Sequence, residues 1–209
     1  MPGEEISLFE TYNTSTWMVE GFNFKIGPHD MSTGPTALQI DPEVPYLYLP
    51  QKDFVEMYGF LSRYNPYMSC SERRNYCKFH AACPTDESGD ELLVNSDMQF
   101  SIRDVNGIEK VFNMKLSDLL LKGSRFKLSD SSNCFLPIFR LPSNLNQNKW
   151  LLGTMFLNEY YTAYDMTPYD EEEKDYIQVG IGPINPNGLK QEEQPKPPPP
   201  PPENKTEPE

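Results

Sequence analysis

Trp150-Leu151-Leu152-Gly153-Thr154-Met155-Phe156-Leu157-Asn158-Glu159-Tyr160-Tyr161-Thr162-Ala163-Tyr164-Asp165 is the stretch from which the fold can be read. Its composition predicts a short helix over Thr154 to Tyr160. The aromatic and β-branched residues of Tyr161 to Asp165 then predict a strand. Tyr160, Tyr161 and Tyr164 read as strand and core positions rather than a stacking platform.

Outward from this stretch the chain repeats one theme. Short segments rich in aromatic and β-branched residues alternate with clusters of Gly, Pro, Asn and Asp, which is an all-β signature. Strands are predicted over Thr16 to Ile26, Thr36 to Ile40, Tyr46 to Leu49, Met98 to Arg103, Glu109 to Met114, Cys134 to Arg140, Tyr161 to Asp165 and Ile177 to Ile181. Asp104-Val105-Asn106-Gly107 predicts a hairpin turn in which Asn-Gly supplies positive φ angles. Besides the helix at Thr154, one is predicted over Gln51 to Tyr64, entered after Pro50 with Phe54, Met57, Tyr58 and Leu61 on one face.

From about Gly188 the composition changes to NGLKQEEQPKPPPPPPENKTEPE. Pro197 to Pro202 form an unbroken run whose fixed φ confines it to polyproline II or disorder. The division expected is a folded unit over 1–187 and an acidic Pro-rich tail over 188–209, a solvated tail, a spacer or a ligand for an aromatic-lined groove. A second acidic segment, Asp170 to Asp175, reads as a solvated loop, since its spacing does not follow the oxygen-ligand pattern of a calcium loop.

The bulk properties exclude some partners. A formal net charge of −13, from 31 acidic and 18 basic residues, argues against nucleic acid, because binding its backbone requires Lys and Arg to displace counterions. No run approaches the roughly eighteen apolar residues of a membrane span, so no transmembrane segment is expected. The opening MPGEEISLFE lacks a basic region followed by an apolar run, so no secretion signal is visible. Asn13-Thr14-Ser15 and Asn204-Lys205-Thr206 fit a glycosylation pattern that matters only in a secreted protein.

The quoted stretch closely resembles the apolar-apolar-Gly, short helix, Tyr-Tyr-Thr, aromatic-Asp segment of pepsin-like (family A1) aspartic peptidases. FSIRDVNGIEKVFNMKLSDLLL is similar to that family's hairpin, and TWMVEGFNFKIG to the strand pair opening its C-terminal lobe. The resemblance covers about residues 10 to 185. It implies a single lobe of the pepsin-like acid protease fold, all-β with two short helices. It also implies that Leu151, Leu152 and Gly153 form the strand beside the catalytic turn, with glycine where backbones cross closely. Among Cys70, Cys77, Cys83 and Cys134, which could pair in three ways, the resemblance implies Cys83 with Cys134, leaving Cys70 with Cys77.

The family's catalytic Asp-Thr/Ser-Gly-Thr/Ser falls on Asp41-Pro42-Glu43-Val44, and only the aspartate is kept. Catalysis by this family needs two carboxylates about 3 Å apart sharing a proton. The hydroxyl residue ties the lobes together, and the glycine permits a tight turn. Pro42 removes an amide and a hydroxyl, Glu43 adds a side chain and a charge, and Val44 lacks the second hydroxyl. No other Asp-Thr/Ser-Gly occurs in these 209 residues. The expectation is therefore a pseudoenzyme without cofactor, with Asp41 a remnant, and acting as an interaction or structural subunit. Its expected protein partner, such as an N-terminal aspartic-peptidase-like lobe, would bind the inter-lobe face beside Leu151, Leu152 and Gly153. The alternative is half of a split endopeptidase whose second aspartate comes from another chain.

Other constellations are weaker. Cys70, Cys77, His80 and Cys83 run as C-x6-C-x2-H-x2-C, which could make a Cys₃His zinc centre but is not a usual paired knuckle. His29 and His80 read as loop residues, and no Gly-x-Ser-x-Gly elbow is present. Asp104 and Asp118 read as turn and helix-start caps. Paired cysteines would imply an oxidising compartment, secretory or mitochondrial intermembrane space. A thiol count after denaturation without reductant separates the two cysteine readings. We expect no free thiol, whereas four thiols with bound zinc would replace the disulfides by a metal site.

Overall fold

The computed structural model describes residues 6–12, 16–65, 67–71, 76–82, 93, 96–126, 133–146, 148–165 and 177–184. Along the chain these form β1 (Ser7–Glu10), β2 (Met18–Ile26), β3 (His29–Asp30), β4 (Thr36–Ile40), β5 (Leu47–Leu49), α1 (Gln51–Tyr64), β6 (Met68–Ser71) and β7 (Tyr76–Ala82). Next come β8 (Met98–Arg103), β9 (Glu109–Met114), β10 (Leu121–Lys122), a 3-10 turn over Gly123–Phe126, β11 (Asn133–Leu136), β12 (Ile138–Arg140) and β13 (Lys149–Leu152). The helix α2 (Thr154–Leu157), β14 (Tyr160–Tyr164) and β15 (Gln178–Pro183) complete the described residues. The fold is mostly β, as expected.

The largest sheet runs β12-β5-β13-β4-β2-β8-β9, with β3 paired to β2. A second sheet runs β10-β11-β7-β6, and a third β1-β15-β14. The core lies on the inner face of the large sheet. There Phe24 packs on Trp150 with centroids 4.5 Å apart and on Phe100 at 6.0 Å, while Phe100 stacks on Phe112 at 5.5 Å. Helix α1 lays Phe54, Met57 and Leu61 against this core. These positions repeat at helical spacing, which is why that segment folds as a helix and not a strand.

One buried acidic side chain ties these layers together. Asp53 in the first turn of α1 is only 4% exposed. Its carboxylate accepts hydrogen bonds from the Thr33 hydroxyl and from the Trp150 indole N–H, each at 2.7 Å. The helix, the loop after β3 and the central strand β13 therefore meet at one group. Nearby, Glu56 accepts from the Ser32 amide at 2.7 Å and from the Ser32 hydroxyl, and contacts His29 Nε2 at 3.2 Å. Burial raises the Glu56 pKa, but the Ser32 hydroxyl and amide and His29 outweigh it and hold the carboxyl below its ordinary range.

Several expectations are corrected. The single strand expected over Cys134 to Arg140 breaks at Pro137 into β11 and β12, which belong to different sheets. Proline has no amide to continue a ladder, so the chain changes sheets there. The second helix stops at Leu157 rather than Tyr160. In the 104–107 turn only Gly107 has positive φ, at 76°. Asn106 instead donates its amide to the Asp104 side chain at 2.9 Å, and Ile108 does the same, so Asp104 is the turn cap expected of it. His29 and His80 lie in strands β3 and β7, not in loops. The tail over 188–209, Asp170 to Asp175 and the two glycosylation triplets lie outside the described residues.

Replacing Asp53 by Ala would leave the Trp150 N–H and Thr33 hydroxyl without their acceptor in the core. We expect a loss of about 2–3 kcal/mol in urea unfolding, with the slope unchanged. A loss under about 0.5 kcal/mol would mean that Asp53 is not a structural tie.

Candidate functional site

Strand β4 ends at Ile40 and hands the chain to a turn, 41–46, from which β5 departs. Both strands then flank β13, which arrives more than a hundred residues later in the sequence. Strand β13 runs parallel to β4, with Leu151 opposite Gln39 and Leu152 opposite Ile40. It runs antiparallel to β5, with Leu152 opposite Leu47. This arrangement places the turn that begins at Asp41 beside Leu152 and Gly153. The Asp41 amide donates to the Leu152 carbonyl at 3.1 Å.

Glycine at 153 has a steric cause. A Cβ there would lie 2.1 Å from the Val44 carbonyl oxygen and 2.4 Å from that of Tyr46. Contacts that short with backbone do not occur, so only a residue without Cβ lets β13 leave beside the turn. Leu152 is fully buried and Leu151 is 8% exposed, so both serve the packing of the lobe itself.

The turn holds its carboxylate from within. One Asp41 oxygen accepts the Glu43 amide at 3.0 Å, and the other accepts the Gln39 side-chain N–H at 3.3 Å. Gln39 is fixed in turn, because its carbonyl oxygen accepts from Lys149 Nζ at 2.7 Å. Thr154 closes the far side of the turn. Its amide donates to the Val44 carbonyl at 2.7 Å, and its hydroxyl lies 3.3 Å from the Pro42 and Val44 carbonyls. Sequence reasoning missed Thr154, although a hydroxyl residue directly after the crossing glycine was the available signal. Pro42 and Glu43 are exposed, and Asp41 and Val44 are half-buried.

On the outer face of the same sheet, Phe139, Tyr48, Leu151 and Gln39 fall in register across β12, β5, β13 and β4. Tyr46 and Tyr48 pack on Phe139 with centroids 5.0 and 5.5 Å apart. Burial, and then the neighbouring Tyr46, push the Tyr48 hydroxyl pKa up. The outer face beside Asp41 is thus aromatic.

The cysteines fall on the second sheet. Strands β6 and β7 place Cys70 opposite Cys77, and β11 lies beside β7. Cys77 and Cys134 are fully buried, and neither is a free thiol. The side chains of Cys70 and Cys83 lie outside the described residues, so the pairings and the zinc reading stay at the level of proposal. His80 Nε2 meets the Ser69 hydroxyl at 2.8 Å.

The family model described as eukaryotic aspartyl protease matches residues 5–170. Among solved structures the chain is similar to the aspartic proteinase from Irpex lacteus, at 15% identity and a TM-score of 0.58, over 88% of this chain and 49% of that one. It is also similar to basic 7S globulin from soybean, at 12% identity and a TM-score of 0.58, over 85% of this chain and 42% of that one. At such identities the likeness is one of fold, and the chain spans about half the length of these structures. Comparison with curated proteins gives no match.

Gly153→Ala would force the Val44 and Tyr46 carbonyls apart from β13. The expected outcome is a destabilisation of about 3 kcal/mol or more, measured by thermal unfolding and denaturant midpoint. A variant as stable as the parent would contradict the crossing geometry.

Proposed function

Because the chain belongs to the eukaryotic aspartyl protease family, we propose that it is a non-catalytic member, a C-terminal-lobe-like unit that acts as an interaction or structural subunit of a larger assembly. The observation that carries this reading is the turn Asp41-Pro42-Glu43-Val44. Acid peptidase chemistry needs a carboxylate that shares a proton with a second one across the lobes, on a turn whose hydroxyls and amides face that partner. Here Pro42 offers neither hydroxyl nor amide, and Val44 offers no hydroxyl. Glu43 brings a second carboxylate close to Asp41 in sequence.

The same geometry supports binding. The half-buried aromatic face at Tyr46, Tyr48 and Phe139 adjoins the turn, and exposed apolar surface of that kind marks contact with a protein. The partner proposed for this face is a separate N-terminal-lobe-like protein. No helix among the described residues is long and apolar enough to cross a membrane. We propose the pairings Cys83 with Cys134 and Cys70 with Cys77, which place the working protein in an oxidising compartment.

One observation favours the second reading, a split endopeptidase. Asp41 keeps its carboxylate at the head of the turn, accepting the amide of the residue two further on. The test is a peptidase assay between about pH 3 and 6, where a shared-proton dyad operates. It is made on the chain alone and on the chain with whatever copurifies at native abundance, using acid-denatured protein as substrate. Non-catalysis predicts no cleavage above background, and no difference between the parent and Asp41→Ala. Cleavage that Asp41→Ala abolishes would overturn it in favour of the split enzyme.

A further inference from the structure

We propose that the six prolines Pro197–Pro202 of this chain dock in cis on the aromatic strip formed by Tyr46, Tyr48, Phe139 and Tyr76. Phe139 is the centre of the strip, with Tyr46, Tyr48 and Tyr76 at centroid distances of 5.0, 5.5 and 6.2 Å. All four rings are half-buried, so each keeps part of its surface open, Tyr48, Tyr76 and Phe139 on β5, β7 and β12 and Tyr46 in the turn just before β5. Rows of this kind take polyproline II ligands, whose rings stack on aromatics and whose ordering cost is small because φ is already fixed. A run of six prolines makes two turns of such a helix, about 9 Å each, and so spans the strip.

The point where the described chain ends selects this occupant. Ile184 is fixed next to α2, its amide donating to the Glu159 carbonyl at 3.1 Å. One helical turn back, the Thr154 amide holds the Val44 carbonyl at 2.7 Å, and Tyr46 follows two residues later. The exit point therefore lies on the order of 15 Å from the strip, counting one helical turn and a few extended residues. Residues 185–196 separate Ile184 from the run. Twelve residues can extend to roughly 40 Å, so the chain is long enough to span that distance. A tethered ligand that can reach its site has an effective concentration in the millimolar range. The docked run would cover the outer face beside Leu151 and Gln39, which register with Tyr48 and with each other across β5, β13 and β4. A partner for that face would then have to displace the run. This inference holds whether or not Asp41 takes part in chemistry.

The experiment uses the full chain and a fluorescent synthetic peptide spanning Gln194–Glu203. In one variant Pro197→Ser through Pro202→Ser remove the tethered ligand. Fluorescence anisotropy is expected to show the peptide binding this variant on the order of tenfold tighter than the parent, whose own run competes. Adding Tyr48→Ser and Phe139→Ser should abolish the binding. Equal affinity for parent and serine variant would overturn the proposal and indicate a segment of another protein as the occupant. Absence of binding to the folded serine variant would overturn the site itself. Because the ring variants could unfold, nuclear Overhauser contacts between proline ring protons of the run and the Tyr46 or Tyr48 rings are also sought in the unaltered chain. Their presence is expected, and their absence contradicts docking.

Discussion

The insertion of β13 between β4 and β5 is the constraint on which the rest of the structure depends. Two strands joined by a six-residue turn are held apart by a third that the chain supplies only after completing the second sheet. Three contacts follow from that wedge. Trp150 reaches down to Asp53 and locks α1, Gly153 lets the backbone leave beside the turn, and Thr154 returns hydrogen bonds to the turn's carbonyls. The contacts are non-local, so the wedge forms only once most of the chain is ordered.

This arrangement separates the architecture of the turn from its chemistry. Gly153 is required because a Cβ would meet the Val44 and Tyr46 carbonyls, a demand that persists whatever Asp41 does. Leu152 is required by burial. The contacts of Gly153 and Thr154 with the turn go to the backbone carbonyls of Pro42, Val44 and Tyr46, so they do not depend on which side chains stand at positions 42 to 44. A surviving apolar-apolar-Gly segment is therefore evidence for the fold and not for activity, and the reading as an interaction subunit rests on the turn itself.

Local signals were legible in the sequence and non-local ones were not. The hairpin at Asp104-Val105-Asn106-Gly107 was visible because a turn is written in adjacent residues, although its positive φ falls on Gly107 alone. Helix α1 was visible from helical spacing, and its bounds match. The strands β1, β3, β6, β7 and β10 were not predicted. β3 and β10 have two residues each, and the short β1 buries only Phe9. In β7 the alternation of buried Cys77 and Phe79 with outward Tyr76, Lys78 and His80 was present, but the cysteines and histidine drew the reading toward loop and metal chemistry. Pro137 marked the sheet change within the strand expected over Cys134 to Arg140. The site was half legible, since Asp41 and Gly153 stand out while Gln39, Lys149 and Thr154 acquire roles only when β13 pairs with β4.

If the turn is a structural piece of the wedge, its amides should open only when the lobe unfolds. Native-state hydrogen exchange at Asp41, Val44 and Thr154 tests this directly, since their N–H groups bond to Leu152, Asp41 and Val44. The account predicts protection equal to that of the central β13 amides, approaching global stability. Exchange at the rate of an open surface loop would contradict it, and would mean that the wedge does not hold the turn.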